Sequence, residues 1–255
     1  MTQTVCITGA TSGFGRAAAY KFASEGWHLL LTGRRSDRLE ALQAELAKQT
    51  EVATLTLDVR DTAACQAQLA TLPANLAPLK TLINNAGLAL GTTPAPQSSL
   101  DDWHTMIDTN IKGLVTVTKT LLPQLMAFGR GASILNLGSV AGSYPYPGGN
   151  VYCGTKAFVE QFSKAIRCDL LGSGVRVSNL APGMSESEFT LVRTGGNQQA
   201  YNDLYRGVEA IQPEDIADTL YWLATLPPHL NVNQLELMPV QQAWSPFAVQ
   251  RNSSD

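Results

Sequence analysis

Tyr152 and Lys156 stand four residues apart in a chain of 255, a spacing that puts both side chains on one face of a helix. Phe158, Phe162, Ile166 and Leu170 continue at helical intervals, so residues 151–171 read as that helix. A free tyrosine titrates near pH ~10, too high for proton transfer at neutral pH, and a neighbouring ammonium favours the phenolate. The chemistry implied is acid/base catalysis by Tyr152, tuned by Lys156. Ser139 follows the apolar run 134–137 and is expected at the carboxyl end of a strand, where open α/β sheets bind their ligands. Its hydroxyl would hold a substrate oxygen against Tyr152. A Tyr–Lys pair at this spacing also arises by chance on helix surfaces, so the pair needs a cofactor site beside it.

Such a site is legible at the first turn, Thr8-Gly9-Ala10-Thr11-Ser12-Gly13-Phe14-Gly15, between an apolar run and a helical segment. Glycines there permit a tight turn and close approach of a pyrophosphate to the helix N-terminus, whose unpaired N–H groups and dipole favour anions. The second strand ends Leu31-Thr32-Gly33-Arg34-Arg35, where an NAD-binding chain usually carries an acid for the ribose hydroxyls. Arg34 and Arg35 suit a 2′-phosphate instead, through charge-assisted hydrogen bonds, so NADP is expected in preference to NAD.

The chain that must position these groups is 44% apolar, enough to bury a full core, and its net charge is only −3. No basic run points to nucleic acid or an anionic membrane, and no apolar stretch approaches a membrane span, so a small-molecule substrate is expected. The first apolar run begins at Val5, which leaves no room for a signal peptide, and a cytoplasmic location is expected. Cys6, Cys65, Cys153 and Cys168 lack CxxC spacing, and His28, His104 and His229 are scattered, so neither a metal nor a disulfide is expected. Cys153, although next to Tyr152, reads as a small packing residue.

Short apolar runs alternate with longer amphipathic segments in a βαβ rhythm, and the runs are continuous, as in strands covered on both faces. The expectation is a single Rossmann-type doubly wound α/β domain over 1–255, with a seven-stranded parallel sheet flanked by helices. Strands are predicted at 4–8, 28–32, 53–57, 81–84, 133–137, 175–180 and 234–237. Helices are predicted at 13–25, 37–49, 61–72, 99–128, 151–171 and 213–225. Residues 182–207 show weaker periodicity and read as a substrate loop rather than a domain boundary.

With these motifs in order, the chain resembles the short-chain dehydrogenase/reductase family over nearly its whole length. The family's Thr-Gly-x-x-x-Gly-x-Gly appears as Thr8 to Gly15 and its Asn-Asn-Ala-Gly as Asn84 to Gly87. Its helix asparagine is Asn110, its serine Ser139, its Tyr-x-x-x-Lys Tyr152 and Lys156, and its Pro-Gly Pro182-Gly183. The resemblance implies a catalytic set of Asn110, Ser139, Tyr152 and Lys156, with Tyr152 and Lys156 also touching the cofactor. It implies that Gly9, Thr11, Ser12, Gly13, Phe14 and Gly15 cradle the pyrophosphate and that Asp58 and Val59 flank the adenine. Asn85, Ala86 and Gly87 should line the ribose, and Pro182, Gly183 and Ser187 should meet the nicotinamide carboxamide. Ser187 stands where the family often has threonine and keeps the hydroxyl. For Asn110 a distorted helix is expected, whose unpaired carbonyl holds a water linking Lys156 to solvent. Family members usually pair through the helices at 99–128 and 151–171, which implies a homotetramer; of Leu114, Val117, Leu121, Leu125 and Phe158, either some are left for a partner or all pack within the subunit.

Residues 85–91, 148–152 and 188–193, with the tail 237–240, are similar to the NADP-dependent 3-hydroxy acid dehydrogenases, a branch that includes enzymes acting on serine and allo-threonine. Residues 185–187 and everything after Ala243 depart from it. The implied reaction moves a hydride between NADP and the hydroxyl-bearing carbon of a small 3-hydroxy acid such as serine, allo-threonine, 3-hydroxypropionate or 3-hydroxyisobutyrate. Arg193 is the candidate for the substrate carboxylate: it follows the Pro182-Gly183 turn on the loop expected to cover the nicotinamide, and guanidinium can grip a carboxylate with two hydrogen bonds. A surface ion pair with Glu186 or Glu188 is the alternative for Arg193, and either acid is a candidate for a substrate ammonium. A carbonyl reductase of broader scope would need no carboxylate on its substrate. An NADP(H)-sensing protein without turnover would have no need of the serine, tyrosine and lysine.

Overall fold

The computed structural model describes residues 2–243, and the tail after Ala243 lies outside them. Its strands are β1 (Thr4–Thr8), β2 (His28–Gly33), β3 (Val52–Thr56), β4 (Leu79–Asn84), β5 (Ser133–Leu137), β6 (Arg176–Pro182) and β7 (Gln234–Leu237). They form one sheet in the order β3-β2-β1-β4-β5-β6-β7, every pairing parallel. The chain works outward from β1 to β3, then returns to β4 on the other side of β1 and continues to β7. That reversal opens a crevice at the carboxyl ends of β1 and β4, where doubly wound sheets bind nucleotides.

Apolar residues on both faces of the strands set this architecture. Val5, Ile7, Leu29, Leu31, Ile83 and Leu135 pack into one core, with Phe22 from α1 (Gly13–Ser24), Leu39 from α2 (Ser36–Leu46) and Leu220 from α9 (Pro213–Thr225). The alternating Cys6, Leu30, Leu82, Ile134 and Val177 pack into the opposite core. There they meet Leu69 of α3 (Thr62–Leu69), Val117, Leu121 and Leu125 of α5 (Leu114–Phe128) and, at the edge, Ile166 of α6 (Asn150–Asp169). A strand buried on both sides cannot show polar alternation, which is why these runs look continuous in the sequence.

Two predicted segments are built differently. The helix expected over 99–128 is α4 (Leu100–Ile107), a π-helix at Asp108–Gly113 and α5. The wider turn falls where Asn110 is drawn aside to bond other elements, and π-bulges commonly mark such functional positions. The loop at 182–207 contains α7 (Glu188–Arg193) and α8 (Gln198–Tyr205). Ser187 and Asn197 cap them through hydrogen bonds from the backbone N–H groups of Phe189 and Ala200, and Gly195 and Gly196, both at positive φ, separate them. Helices of 6 and 8 residues are too short to carry a readable apolar stripe.

The residues proposed for a partner need correction. Leu114, Val117, Leu121 and Leu125 are buried within the subunit, because α5 turns that stripe toward the sheet. Phe158 is half-buried and stacks on Phe162 at 5.6 Å between ring centres. No helix among the described residues is long and apolar enough to cross a membrane.

Candidate active site

The carboxyl ends of the strands surround a cavity of about 540 Å³, within the range that binds small ligands and cofactors. At one side lies the glycine turn, with Gly9, Thr11, Ser12, Gly13 and Phe14 on the cavity wall. Thr8 Oγ1 accepts hydrogen bonds from the N–H groups of Asn85 and Ala86, both 3.0 Å. Asn85 Nδ2 donates back to the carbonyls of Thr8 and Gly9 at 2.9 and 3.1 Å. This interlock leaves no space at Gly15, where a Cβ would collide with Asn85 Nδ2 and the Gly9 carbonyl. Gly15 thus packs the turn onto the end of β4, one layer behind the cavity surface that Asn85, Ala86 and Gly87 share.

Arg34 and Arg35 line the cavity at the end of β2. Arg35 donates through Nε and Nη2 to Thr11 Oγ1 at 3.2 and 2.9 Å. Asp58 and Val59 form the facing wall. Asp58 is paired with Arg60 at 2.6 Å, and that hydrogen bond holds its carboxyl below the usual range, with Arg34 adding to the effect. With no acid at the end of β2 and two guanidinium groups there, the donor set fits a 2′-phosphorylated dinucleotide.

Ser139, Tyr152 and Lys156 converge deeper in the cavity. Gly138 links Ser139 to the end of β5, and the Ser139 hydroxyl accepts from Ala141 N at 3.1 Å and donates weakly to Pro182 O at 3.5 Å. Tyr152 and Lys156 sit one turn apart on α6 and are both buried. Lys156 Nζ donates to the Leu137 carbonyl at 2.7 Å and lies 5.8 Å from the Tyr152 ring centre. Burial pulls the lysine down to about 8. Burial also drives the Tyr152 phenol well above its ordinary value, opposed by its hydrogen bond with Ser139 and by the charge of Arg193. The lowering expected from Lys156 is not found: its ammonium is turned to the Leu137 carbonyl, and the causes that oppose burial at Tyr152 are Ser139 and Arg193.

Asn110 stands behind this trio rather than on the cavity wall. Its Oδ1 accepts from Leu88 N at 2.9 Å, and its Nδ2 donates to Leu88 O at 2.8 Å and Thr155 Oγ1 at 3.0 Å. The π-helix thereby ties the segment after β4 to α6 between Tyr152 and Lys156. Gly87 keeps the intervening space open, since a Cβ there would lie 3.3 Å from Asn110 Oδ1 and 3.6 Å from Lys156 Nζ.

Pro182, Gly183 and Ser187 lead from β6 along the cavity into α7. Gly183 lies so close to Gln242 that a Cβ would strike the amide oxygen, which also accepts from Met184 N at 2.7 Å. Arg193, at the far end of α7, reaches back into the cavity. Its Nε donates to Gly91 O at 3.2 Å and its Nη1 to the Tyr146 hydroxyl at 2.7 Å. The surface ion pair considered for Arg193 is not formed: Glu188 pairs with Arg35 and Arg38, and Glu186 accepts from Tyr201 and Gln212. Both acids offered for a substrate ammonium therefore already have protein partners, Glu188 in the arginines and Glu186 in Tyr201 and Gln212.

Sequence reasoning missed Tyr146, Phe189 and the role of Glu188. Phe189 packs against Tyr152, ring centres 5.7 Å apart, and its neighbourhood to the invoked Ser187 was the one available signal. Tyr146 lies in a Pro- and Gly-rich connection with no periodicity, and the partners of Glu188 are about 150 residues away along the chain.

The short chain dehydrogenase family model matches residues 3–195, and the chain belongs to that family of oxidoreductases. It is 59% identical over 249 residues to a sulfoacetaldehyde reductase of Chromohalobacter salexigens, covering 98% of each chain. It is 54% identical over 253 residues to a serine 3-dehydrogenase of Agrobacterium fabrum, covering 99% of this chain and all of the relative. Among solved structures, the closed form of a serine dehydrogenase complexed with NADP+ superposes with a TM-score of 0.92 at 46% identity, over 98% of this chain and all of the other.

Proposed function

We propose that this chain is an NADP-dependent oxidoreductase, cytoplasmic and homotetrameric, acting at the hydroxyl-bearing carbon of a small 3-hydroxy acid such as serine. The observation that carries this reading is Arg193, a cation at the cavity's substrate end whose charge reaches the Tyr152 phenol. NADP supplies the hydride chemistry when bound. Tyr152 holds the proton that passes to or from the substrate oxygen, and Ser139 orients that oxygen against it. Lys156 holds the ribose and contributes positive charge beneath the phenol, with Asn110 fixing the turn of α6 that carries both. Arg193 grips the anionic group and so sets which carbon faces the nicotinamide.

A second reading replaces the carboxylate by a sulfonate. The 59% identity to a sulfoacetaldehyde reductase favours it, and the spacing is the same: in a 2-hydroxyethanesulfonate, as in a 3-hydroxy acid, one carbon separates the anionic group from the hydroxyl-bearing carbon. A carbonyl reductase of broader scope is the reading that needs no anion. An NADP(H)-coupled screen of 3-hydroxy acids, sulfoacetaldehyde and its alcohol, and neutral alcohols and ketones tests all three. A 3-hydroxy acid or the sulfonate as the best substrate supports anion recognition. Neutral compounds turned over equally well contradict it.

A further inference from the structure

The six residues of α7 are fastened at both ends. Arg193 holds the last turn to Gly91 and Tyr146, while Glu188, the first residue, reaches the opposite end of the cavity. One Glu188 oxygen accepts from Arg38 Nη1 at 3.0 Å, and the other lies 3.2 Å from the same nitrogen and 3.3 Å from Arg35 Nη1. Arg35 in turn holds Thr11 in the glycine turn. Two guanidinium groups, one of them steadied by the Thr11 hydroxyl that accepts from it, thus form an anion-binding arrangement, and the anion in it is the protein's own carboxylate.

We propose that Glu188 is a specificity-determining residue for the cofactor: its carboxylate competes with the adenosine 2′-phosphate for Arg35, while Arg38 keeps it near when the phosphate takes over. The inference rests on the NADP reading and is independent of the substrate. A 2′-phosphate at the end of β2 needs the same Arg35 donors, and it carries negative charge into contact distance of Glu188, where like charges repel. A dinucleotide without the phosphate makes no such demand and leaves the Glu188 pairs intact. Glu188 therefore costs affinity for the phosphorylated cofactor alone, and in return it fastens the start of α7, and with it Phe189 against Tyr152, over the cavity. Its half-exposed side chain means that a neutral, isosteric replacement leaves the fold unstrained.

The test is equilibrium binding of NADPH, NADH, 2′-AMP and 5′-AMP to wild type and Glu188→Gln, with no substrate present. The variant is expected to bind NADPH and 2′-AMP about three- to tenfold more tightly, the scale of removing one charge interaction at a partly exposed site. Its NADH and 5′-AMP affinities should stay within about twofold of wild type, since neither ligand carries the phosphate charge. An unchanged NADPH-to-NADH ratio, or a ratio that falls, overturns the competition. A wild type that binds NADH as tightly as NADPH overturns the NADP reading itself and the inference with it, so the two failures are distinguishable.

Discussion

The Arg193 guanidinium carbon lies 5.8 Å from the centre of the Tyr152 ring, although 41 residues of chain separate the two and each belongs to a different helix. Tyr146 helps to hold the guanidinium: its hydroxyl accepts from Arg193, and the same guanidinium lies 5.2 Å from its ring centre. On the proposed function, the phenol and the fixed cation at this separation define where the two ends of a small anionic substrate lie. Tyr146→Phe removes the 2.7 Å hydrogen bond and keeps the ring. It is expected to raise KM for an anionic substrate by a few-fold, matching ~0.5–1.5 kcal/mol for one hydrogen bond, with a smaller change in kcat. Steady-state kinetics on both parameters checks this.

Tyr152→Phe keeps the packing against Phe189 and deletes the transferable proton. Turnover should fall by about 10²-fold or more, the contribution typical of a positioned general acid, while NADPH affinity and melting temperature stay near wild type. A variant that retains near-normal turnover assigns the proton to another group.

Lys156 makes a pH-dependent prediction. Burial lowers it to about 8 in the folded protein, against a higher ordinary value in the unfolded chain. Between those two values the unfolded chain binds more protons, so this site's contribution to stability rises with pH; below about pH 8 the full cost of burying the ammonium is present. Lys156→Met removes that cost and should stabilise the cofactor-free protein by roughly 1–4 kcal/mol near pH 6, a gain of several degrees in Tm. The gain should shrink as pH is raised from 8 toward 10. NADPH binding and turnover should both suffer in the same variant. A pH-independent difference in Tm would show that the lysine stays charged in place.

How much of this was legible in the sequence depended on whether a signal was local. Strands buried on both faces announce themselves as continuous runs, and β1, β5 and β7 have the bounds read from them. Pro213 at N1 and the Gln212–Asp215 capping box mark α9, whose bounds also agree. That Ser139, Tyr152 and Lys156 meet at one cavity was legible because strand end and helical spacing fix their positions. The apolar periodicity carries no sign of the π-helix at Asn110, since a single wide turn barely disturbs it; the distortion expected there rested on matching Asn110 to the family's helix asparagine. Long-range polar pairing was invisible for a different reason. Nothing near Glu188 indicates that Arg35 and Arg38 will claim it, and nothing in the spacing of Tyr152 indicates that burial will raise its phenol or that Arg193 is the cation that opposes it.

The proposed homotetramer would assemble through the outer faces of α5 and α6, where Met126 is exposed and Phe158 stacks on Phe162. Phe158→Asp should lower the sedimenting mass at micromolar concentration while leaving the subunit folded. A wild type that sediments as a monomer, or a variant with unchanged mass, contradicts this interface.

The most direct measurement of anion recognition is kcat/KM of wild type and Arg193→Ala on paired substrates: a 3-hydroxy acid or 2-hydroxyethanesulfonate, and a neutral alcohol of the same size. Loss of the guanidinium is expected to weaken kcat/KM for the charged substrate by about 1.5–3 kcal/mol, or roughly 10- to 150-fold. The neutral alcohol, to the extent that it reacts, should change by less than about threefold, well under the energy of a hydrogen bond to a charged group. Equal losses on both substrates would contradict recognition of the anion and make Arg193 a support for the 182–207 segment through its bonds to Gly91 and Tyr146.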